Sequence, residues 1–153
     1  VSALIRYGEM ETKSWKAEKG TAIHQNNQQG QFYLDIAKSF ASTNQAEIIE
    51  LYFNDQLAAS RINLLNQDFL IILKTTYNEN LAKYSPGRLL LYLLIDREFS
   101  LNRLNKIEFY TNATADQLSW STGNRQIEHV TLFRSKFLQK SFQFMRQLKH
   151  KLI

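Results

Sequence analysis

Tyr84-Ser85-Pro86-Gly87-Arg88-Leu89-Leu90-Leu91 is the stretch from which the rest of the chain can be read. Pro86 is the only proline in the sequence, and it stands where an apolar run begins. A proline at the first helical position loses nothing by lacking an N–H and already holds a helical φ, while a serine before it can cap. The spacing therefore predicts a helix over Pro86–Leu101, with Ser85 as N-cap and Leu89, Leu90, Leu93, Leu94 and Phe99 on a broad apolar face. The Ile, Leu and Thr run upstream reads as a buried strand, so the stretch is a strand–loop–helix junction. The N–H groups of Gly87, Arg88 and Leu89 and the positive end of the helix dipole meet there, with Lys83 and Arg88 adding charge. An anion such as a pyrophosphate is the expected ligand.

Upstream of that junction, Gly8–Lys19 reads as a short helix closed by Gly20, while Val1–Tyr7 carries no capping or turn signal. Phe32, Ile36, Ala37 and Phe40 then recur at helical spacing after the polar loop Asn26-Asn27-Gln28-Gln29-Gly30. The period changes over the next thirty residues. Ala46–Phe53, Leu57–Leu65 and Phe69–Thr76, separated by Asn54-Asp55 and Asn66-Gln67-Asp68, read as a three-stranded antiparallel meander. Beyond the long helix, Asn105–Tyr110 reads as a short strand, able to lie parallel to the last meander strand through a right-handed crossover. Thr111–Arg125 is polar, Ile127–Phe133 alternates as a further strand, and Ser135–Ile153 is a basic amphipathic helix with Phe137, Leu138, Phe142, Met145, Leu148 and Leu152 on one side.

The 153 residues, 44% hydrophobic and 22% charged, suffice for one folded domain, residues 1–153, with a real core. Ten Phe, seven Tyr and two Trp against one Pro and five Gly favour dense secondary structure. No cysteine is present, which excludes disulfides, thiolate metal sites and a thiol nucleophile. The three histidines have no ligand spacing, so no metal is expected. His129 reads as a structural strand residue. No run reaches the length of a membrane span and no signal peptide is visible. A cytoplasmic protein, at most peripheral to the inner membrane, is expected. The net charge of +5 suits anionic partners without choosing among them. Nucleic acid is not expected as a partner, tRNA excepted in an alternative given below.

Two helices, a meander, a helix opening on an anion site and a strand beside the meander's last resemble, in that order, the GNAT acyltransferase fold. It is an α+β fold with a mixed, mostly antiparallel sheet and helices on both faces. Ser14-Trp15-Lys16-Ala17-Glu18-Lys19-Gly20-Thr21-Ala22 resembles the Ser-Trp-Lys-Gly-x-x-Gly-Thr-Ala opening of the bacterial cellulose-biosynthesis-associated acetyltransferases. These are themselves similar to the Fem-type aminoacyltransferases. Tyr84-Ser85-Pro86-Gly87 resembles that group's Tyr-Ser-Pro-Gly-x-x-Leu, and Glu108-Phe109 with Trp120 resembles its Asp-Phe-Gly-x-Gly-Asp-x-x-Tyr-Lys-x-x-Trp. In the last motif the two glycines are replaced by Tyr110 and Asn112, and the inner acidic residue by Ala113. The tyrosine and lysine are replaced by Asp116 and Gln117. The group carries two related halves, and this chain resembles the carboxy-terminal one, which fits the abrupt start at Val1.

The resemblance implies acyl transfer from acetyl-coenzyme A, or another acyl-coenzyme A, to an amine or hydroxyl of a sugar or cell-envelope precursor, with the amino-terminal half as partner. It implies a pyrophosphate cradle at Ser85, Gly87, Arg88 and Leu89 with Lys83. Lys74, Thr75 and Thr76 would line the pantetheine, and Tyr77 would donate a proton to the leaving thiolate. Glu108 would be the general base, with Trp15, Lys16 and Asp116 bordering the acceptor. Each has a structural reading beside it: a capped helix start, an aromatic closing the sheet, a salt-bridged strand glutamate, and a tryptophan packing the first helix. Two alternatives remain open at this point, a Fem-like aminoacyl transfer from tRNA and a half that binds without catalysis.

Overall fold

A computed structural model of the chain describes residues 2–14, 22–24, 26–110, 112–128 and 130–151, with side chains to residue 146. The chain divides into two compact units, Val1–Gln117 and Leu118–Ile153.

The first unit begins with helix α1, Ser2–Glu11, not with the helix expected over Gly8–Lys19. Leu4, Tyr7, Gly8 and Glu11 lie at i, i+3, i+4 and i+7 and are all buried, so packing supplies what the missing cap does not. Helix α2, Gln28–Ala41, starts inside the stretch read as a polar loop, because the Asn27 side chain accepts from the Gly30 N–H at 2.8 Å. The meander follows as β1, Ala46–Phe53, β2, Gln56–Leu65, and β3, Phe69–Tyr77. Asn54 turns the first hairpin with φ 52°, a left-handed conformation that asparagine tolerates. A 3₁₀ segment, Glu79–Tyr84, fills the loop expected between β3 and helix α3, Pro86–Leu101. Strand β4, Lys106–Phe109, runs parallel to β3 and completes a sheet of order β1-β2-β3-β4. The short helix α4, Ala115–Trp120, lies within the segment read only as polar.

Helices cover both faces of this sheet. On one face Ile48, Ile62 and Leu73 meet Leu4, Tyr7, Tyr33, Leu34 and Ala37 of α1 and α2. The Tyr7 hydroxyl donates to one oxygen of the fully buried Glu11 carboxylate, and the Ile23 N–H donates to the other at 2.6 Å. Burial first, and then the neighbouring Glu11 charge, push the Tyr7 phenol well above its ordinary value. On the other face Leu90, Leu91 and Leu94 of α3 are buried over the sheet. There Glu47 and Glu98 bind Arg97 and Arg103 in one network that fixes α3 to β1. Neighbouring residues along a strand thus point to opposite helices, as the pleat requires.

Two irregularities break the alternation: Ala58 is an extra residue in β2, where Leu51 pairs with Ala59 but Tyr52 with Leu57, and a second lies in β3. Ile62 pairs with Lys74 but Asn63 pairs with Ile72, so Leu73 is an extra residue in β3. Beyond it, Lys74 and Thr76 fall on the α1 and α2 face, and Thr75 and Tyr77 on the α3 face. A regular strand would have done the reverse.

The second unit contains helix α5, Lys136–Lys151, capped by the Ser135 hydroxyl, which accepts from the Leu138 N–H. Phe133 and Phe142 pack with ring centroids 5.3 Å apart. The strand expected over Ile127–Phe133 is not formed by its described residues, since alternation makes a strand only where a ladder partner is at hand. His129, Leu152 and the Leu148 side chain lie outside the described residues. No described helix is long and apolar enough to cross a membrane.

Candidate functional site

The first four residues of β3 pair with β4, from Phe69↔Lys106 to Ile72↔Phe109, after which β3 outruns β4 by five residues. The Tyr110 N–H still reaches the Ile72 carbonyl at 3.4 Å, and its half-exposed ring marks the point where the strands part. The far end of β3 meets the start of α3. A Cβ built on Gly87 would lie 3.7 Å from Tyr77 Cδ1 and 3.9 Å from Thr75 Cγ2. Fork and helix start therefore stand at the two ends of Leu73–Tyr77.

At the helix start the structure corrects two expectations. Ser85 does not cap through its side chain: it holds a left-handed conformation, φ 49° and ψ 50°, because it also ends the 3₁₀ segment, whereas a capping side chain needs extended backbone. The expected cradle of three N–H groups is reduced to one. Arg88 and Leu89 both donate to the Ser85 carbonyl, at 3.0 and 3.1 Å, and Pro86 has no N–H. Among the described residues nothing accepts from the Gly87 N–H. Arg88 pairs with Asp116 at 3.2 Å, which brings together one residue expected at the donor and one expected at the acceptor. Lys83 lies over the Tyr84 ring, 4.8 Å from its centroid.

Arg61, which the sequence reading passed over, sits behind this junction. It is 4% exposed at the centre of β2. Its Nε donates to the Thr75 hydroxyl at 2.9 Å and its Nη2 to the Gly87 carbonyl at 3.3 Å, while Nη1 has no partner. Burial pushes its guanidinium down to about 10. The signal in the sequence was a single cation inside a strand that must be central to a meander, where a charge is costly.

The residues assigned to the pantetheine are split by the bulge. Thr75 faces Arg61 and α3, Thr76 is buried on the opposite face, and Lys74 places its ammonium 5.2 Å from the Tyr33 ring centroid. Lys74, Gln28, Gln29, Phe32 and Tyr33 line an open pocket of about 300 Å³. Its aromatic pair, Phe32 and Tyr33, is edge-to-face at 5.4 Å. Glu108 is on the same face of the sheet as this pocket, its carboxylate 3.3 Å from Lys106 Nζ. Tyr77 is on the other face, and the register separates the two. Glu108 pairs with Ile71, six residues before Tyr77. At about 3.3 Å per residue, less the bulge, their backbones are roughly 17–20 Å apart. One thioester carbonyl cannot meet both. Trp15 and Lys16 lie outside the described residues. Among the described residues no group of His, Asp and Glu side chains gathers around a common metal position.

The family model for the acetyltransferase (GNAT) domain matches residues 3–117, three quarters of the chain and all of the sheet. The chain belongs to the GNAT acetyltransferases. Solved structures similar to this GNAT domain include a transcriptional regulator from Bacillus halodurans C-125, with 11% identity over 85% of this chain and 94% of that one, at a TM-score of 0.61. A tetramutant of the BH1408 protein from Bacillus halodurans matches at 12% identity over 86% and 93%, with a TM-score of 0.54. An aminoglycoside antibiotic 6'-N-acetyltransferase from Acinetobacter haemolyticus matches at 12% over 88% and 93%, with a TM-score of 0.49. No curated protein sequence matches the chain. The two Bacillus halodurans structures share the GNAT fold with it.

Proposed function

We propose that this GNAT domain moves an acetyl or similar acyl group from acyl-coenzyme A to an amine or hydroxyl of a sugar or cell-envelope precursor. This is the chemistry of the cellulose-biosynthesis-associated group whose motifs it resembles, and it belongs in the cytoplasm, where coenzyme A thioesters are made. The observation that carries the reading is the run of Leu73–Tyr77 past the end of β4, from the fork at Tyr110 to the start of α3. The donor's diphosphate belongs at the Gly87 N–H and its arm along β3, which brings the thioester to the fork. The acceptor enters from the face of the Lys74, Phe32 and Tyr33 pocket, whose ring faces, amides and ammonium suit a hydroxylated or anionic sugar.

On this arrangement the acceptor nitrogen or oxygen attacks the thioester carbonyl carbon, the C–S bond breaks, and the thiolate leaves and is protonated by water. Glu108, oriented by Lys106, takes the acceptor's proton. Tyr77 is then a wall of the donor channel and not an acid. Most of the acceleration comes from holding the two substrates together at the fork.

Calorimetric titration of acetyl-coenzyme A into the wild type and Gly87→Glu tests the donor site. The new side chain starts in ordinary contact with Tyr77, so the fold is kept while a carboxylate enters the anion position. Specific binding lost in the variant is expected; no binding by the wild type would sink the reading and leave the tRNA-dependent or non-catalytic alternatives. Glu108→Gln should keep donor affinity and lower kcat by about 10²–10³-fold.

A further inference from the structure

The end of α3 is a poor anion site by its own means. Among the described residues it has one N–H without an acceptor, at Gly87, and the guanidinium of the next residue, Arg88, is already paired with Asp116. A diphosphate carries two or more negative charges, and a helix end offers about half of one positive charge. The missing charge is behind the helix.

Arg61 lies there. Among the described residues its hydrogen bonds go to neutral oxygens, the Thr75 hydroxyl and the Gly87 carbonyl, and no carboxylate of those residues lies within ion-pair distance of it. Taking a guanidinium out of water without a counter-ion is unfavourable, and an apolar side chain of similar volume would be better tolerated in this place. A buried cation without a counter-ion is a candidate for pairing with a charge that a ligand brings. Its bond to the Gly87 carbonyl places the charge under the first turn of α3, on the residue whose N–H is left open on the opposite, N-terminal side of the turn.

We propose that Arg61 is the positioning residue and the buried counter-charge of the donor's diphosphate. It holds the first turn of α3 through the Gly87 carbonyl, and its charge makes this helix end accept a phosphorylated donor in place of a bare pantetheine thioester. The inference rests on the acyl-coenzyme A reading above and adds to it the residue that selects for phosphate.

The test is calorimetry of wild type, Arg61→Met and Arg61→Lys with two ligands, acetyl-coenzyme A and S-acetylpantetheine, which has the same thioester arm without phosphates. A unit charge behind a partly desolvated diphosphate is expected to change affinity about 10–30-fold. Arg61→Met should therefore lose about that factor for acetyl-coenzyme A and bind S-acetylpantetheine within about twofold of wild type. Arg61→Lys should recover most of the loss, and the salt dependence of acetyl-coenzyme A binding should be shallower in Arg61→Met. Arg61→Met should melt no lower than Arg61→Lys, because it removes a buried charge. Unchanged acetyl-coenzyme A binding in Arg61→Met would overturn the inference alone. Equal loss of both ligands would overturn it in favour of a purely structural role. Failure of the wild type to bind acetyl-coenzyme A would overturn the donor reading, and this inference with it.

Discussion

Gly8→Ala puts a number on how tightly α1 is held to the rest of the first unit. Two effects oppose each other. Alanine is favoured over glycine in a helix interior by about 1 kcal/mol, which on its own would stabilise α1. Against it, the Cβ would lie 2.9 Å from the Ile23 carbonyl oxygen and 3.6 Å from His24 Cα, both backbone atoms. No rotamer change relieves such a contact. Ile23 cannot easily retreat, since it is 1% exposed and its N–H is bound to the Glu11 carboxylate at 2.6 Å. Overpacking of this kind costs roughly 1–3 kcal/mol, occasionally more. Because the contact is under 3.0 Å and to fixed backbone, the upper half of that range applies, and the balance is a net loss of about 1–2 kcal/mol, or a drop of about 2–8 °C in Tm for a chain of this size. Urea and thermal denaturation should show a lower midpoint with an unchanged m-value. Gly87→Ala is the control, because its Cβ would meet only side-chain atoms at 3.7 and 3.9 Å and should leave stability unchanged or slightly raised. If Gly8→Ala proved as stable as the wild type, the contact between α1 and Ile23 would not be the fixed junction described here.

Two further outcomes are expected. Arg103 first, and then Arg97, hold the Glu98 carboxyl below 4.5, against the opposing effect of burial. A carboxyl held low in the native state contributes stability at pH above its ordinary value and loses it as the pH falls from about 4.5 through the native value. Wild-type Tm should therefore fall more steeply below about pH 4.5 than that of Glu98→Gln. At pH 7 the variant should be less stable by about 2–3 kcal/mol, less than for a fully buried pair because the arginine side chains are 36% and 41% exposed. Tyr77→Phe should leave kcat within about twofold, since its hydroxyl is remote from the fork, whereas Tyr77→Ala should raise the KM for acyl-coenzyme A by removing the ring against Gly87. A tenfold loss of kcat in Tyr77→Phe would restore that tyrosine as the proton donor.

Local codes carried most of the fold. The bounds of α3 follow from a proline that is tolerated at a helix start and from apolar residues that recur as far as Leu101, and the structure keeps both bounds, although it buries Leu90, Leu91 and Leu94 and leaves the expected Leu93 and Phe99 exposed. The meander was legible because Asn54-Asp55 and Asn66-Gln67-Asp68 interrupt β-rich runs at hairpin spacing. The parallel placement of β4 followed from the helix between it and β3. These are properties of neighbours in the chain, set by backbone preference and side-chain period.

What the site can do was decided by contacts between residues far apart in sequence. Ser85 looks like a cap and is not one, because the preceding 3₁₀ segment claims its backbone first. One extra residue, Leu73, reverses the facing of Lys74, Thr75 and Tyr77, and no residue type in that run announces it. The separation of Glu108 from Tyr77 is a matter of register between strands joined through a helix. Arg61 became a site residue only when β2 was placed at the centre of the sheet with α3 above it, which stripped its water and left Thr75 and Gly87 as its partners. Sequence period determines which elements form. Burial, register and the charges brought together by packing determine which side chains share a site, because those depend on distance in space and not on distance along the chain.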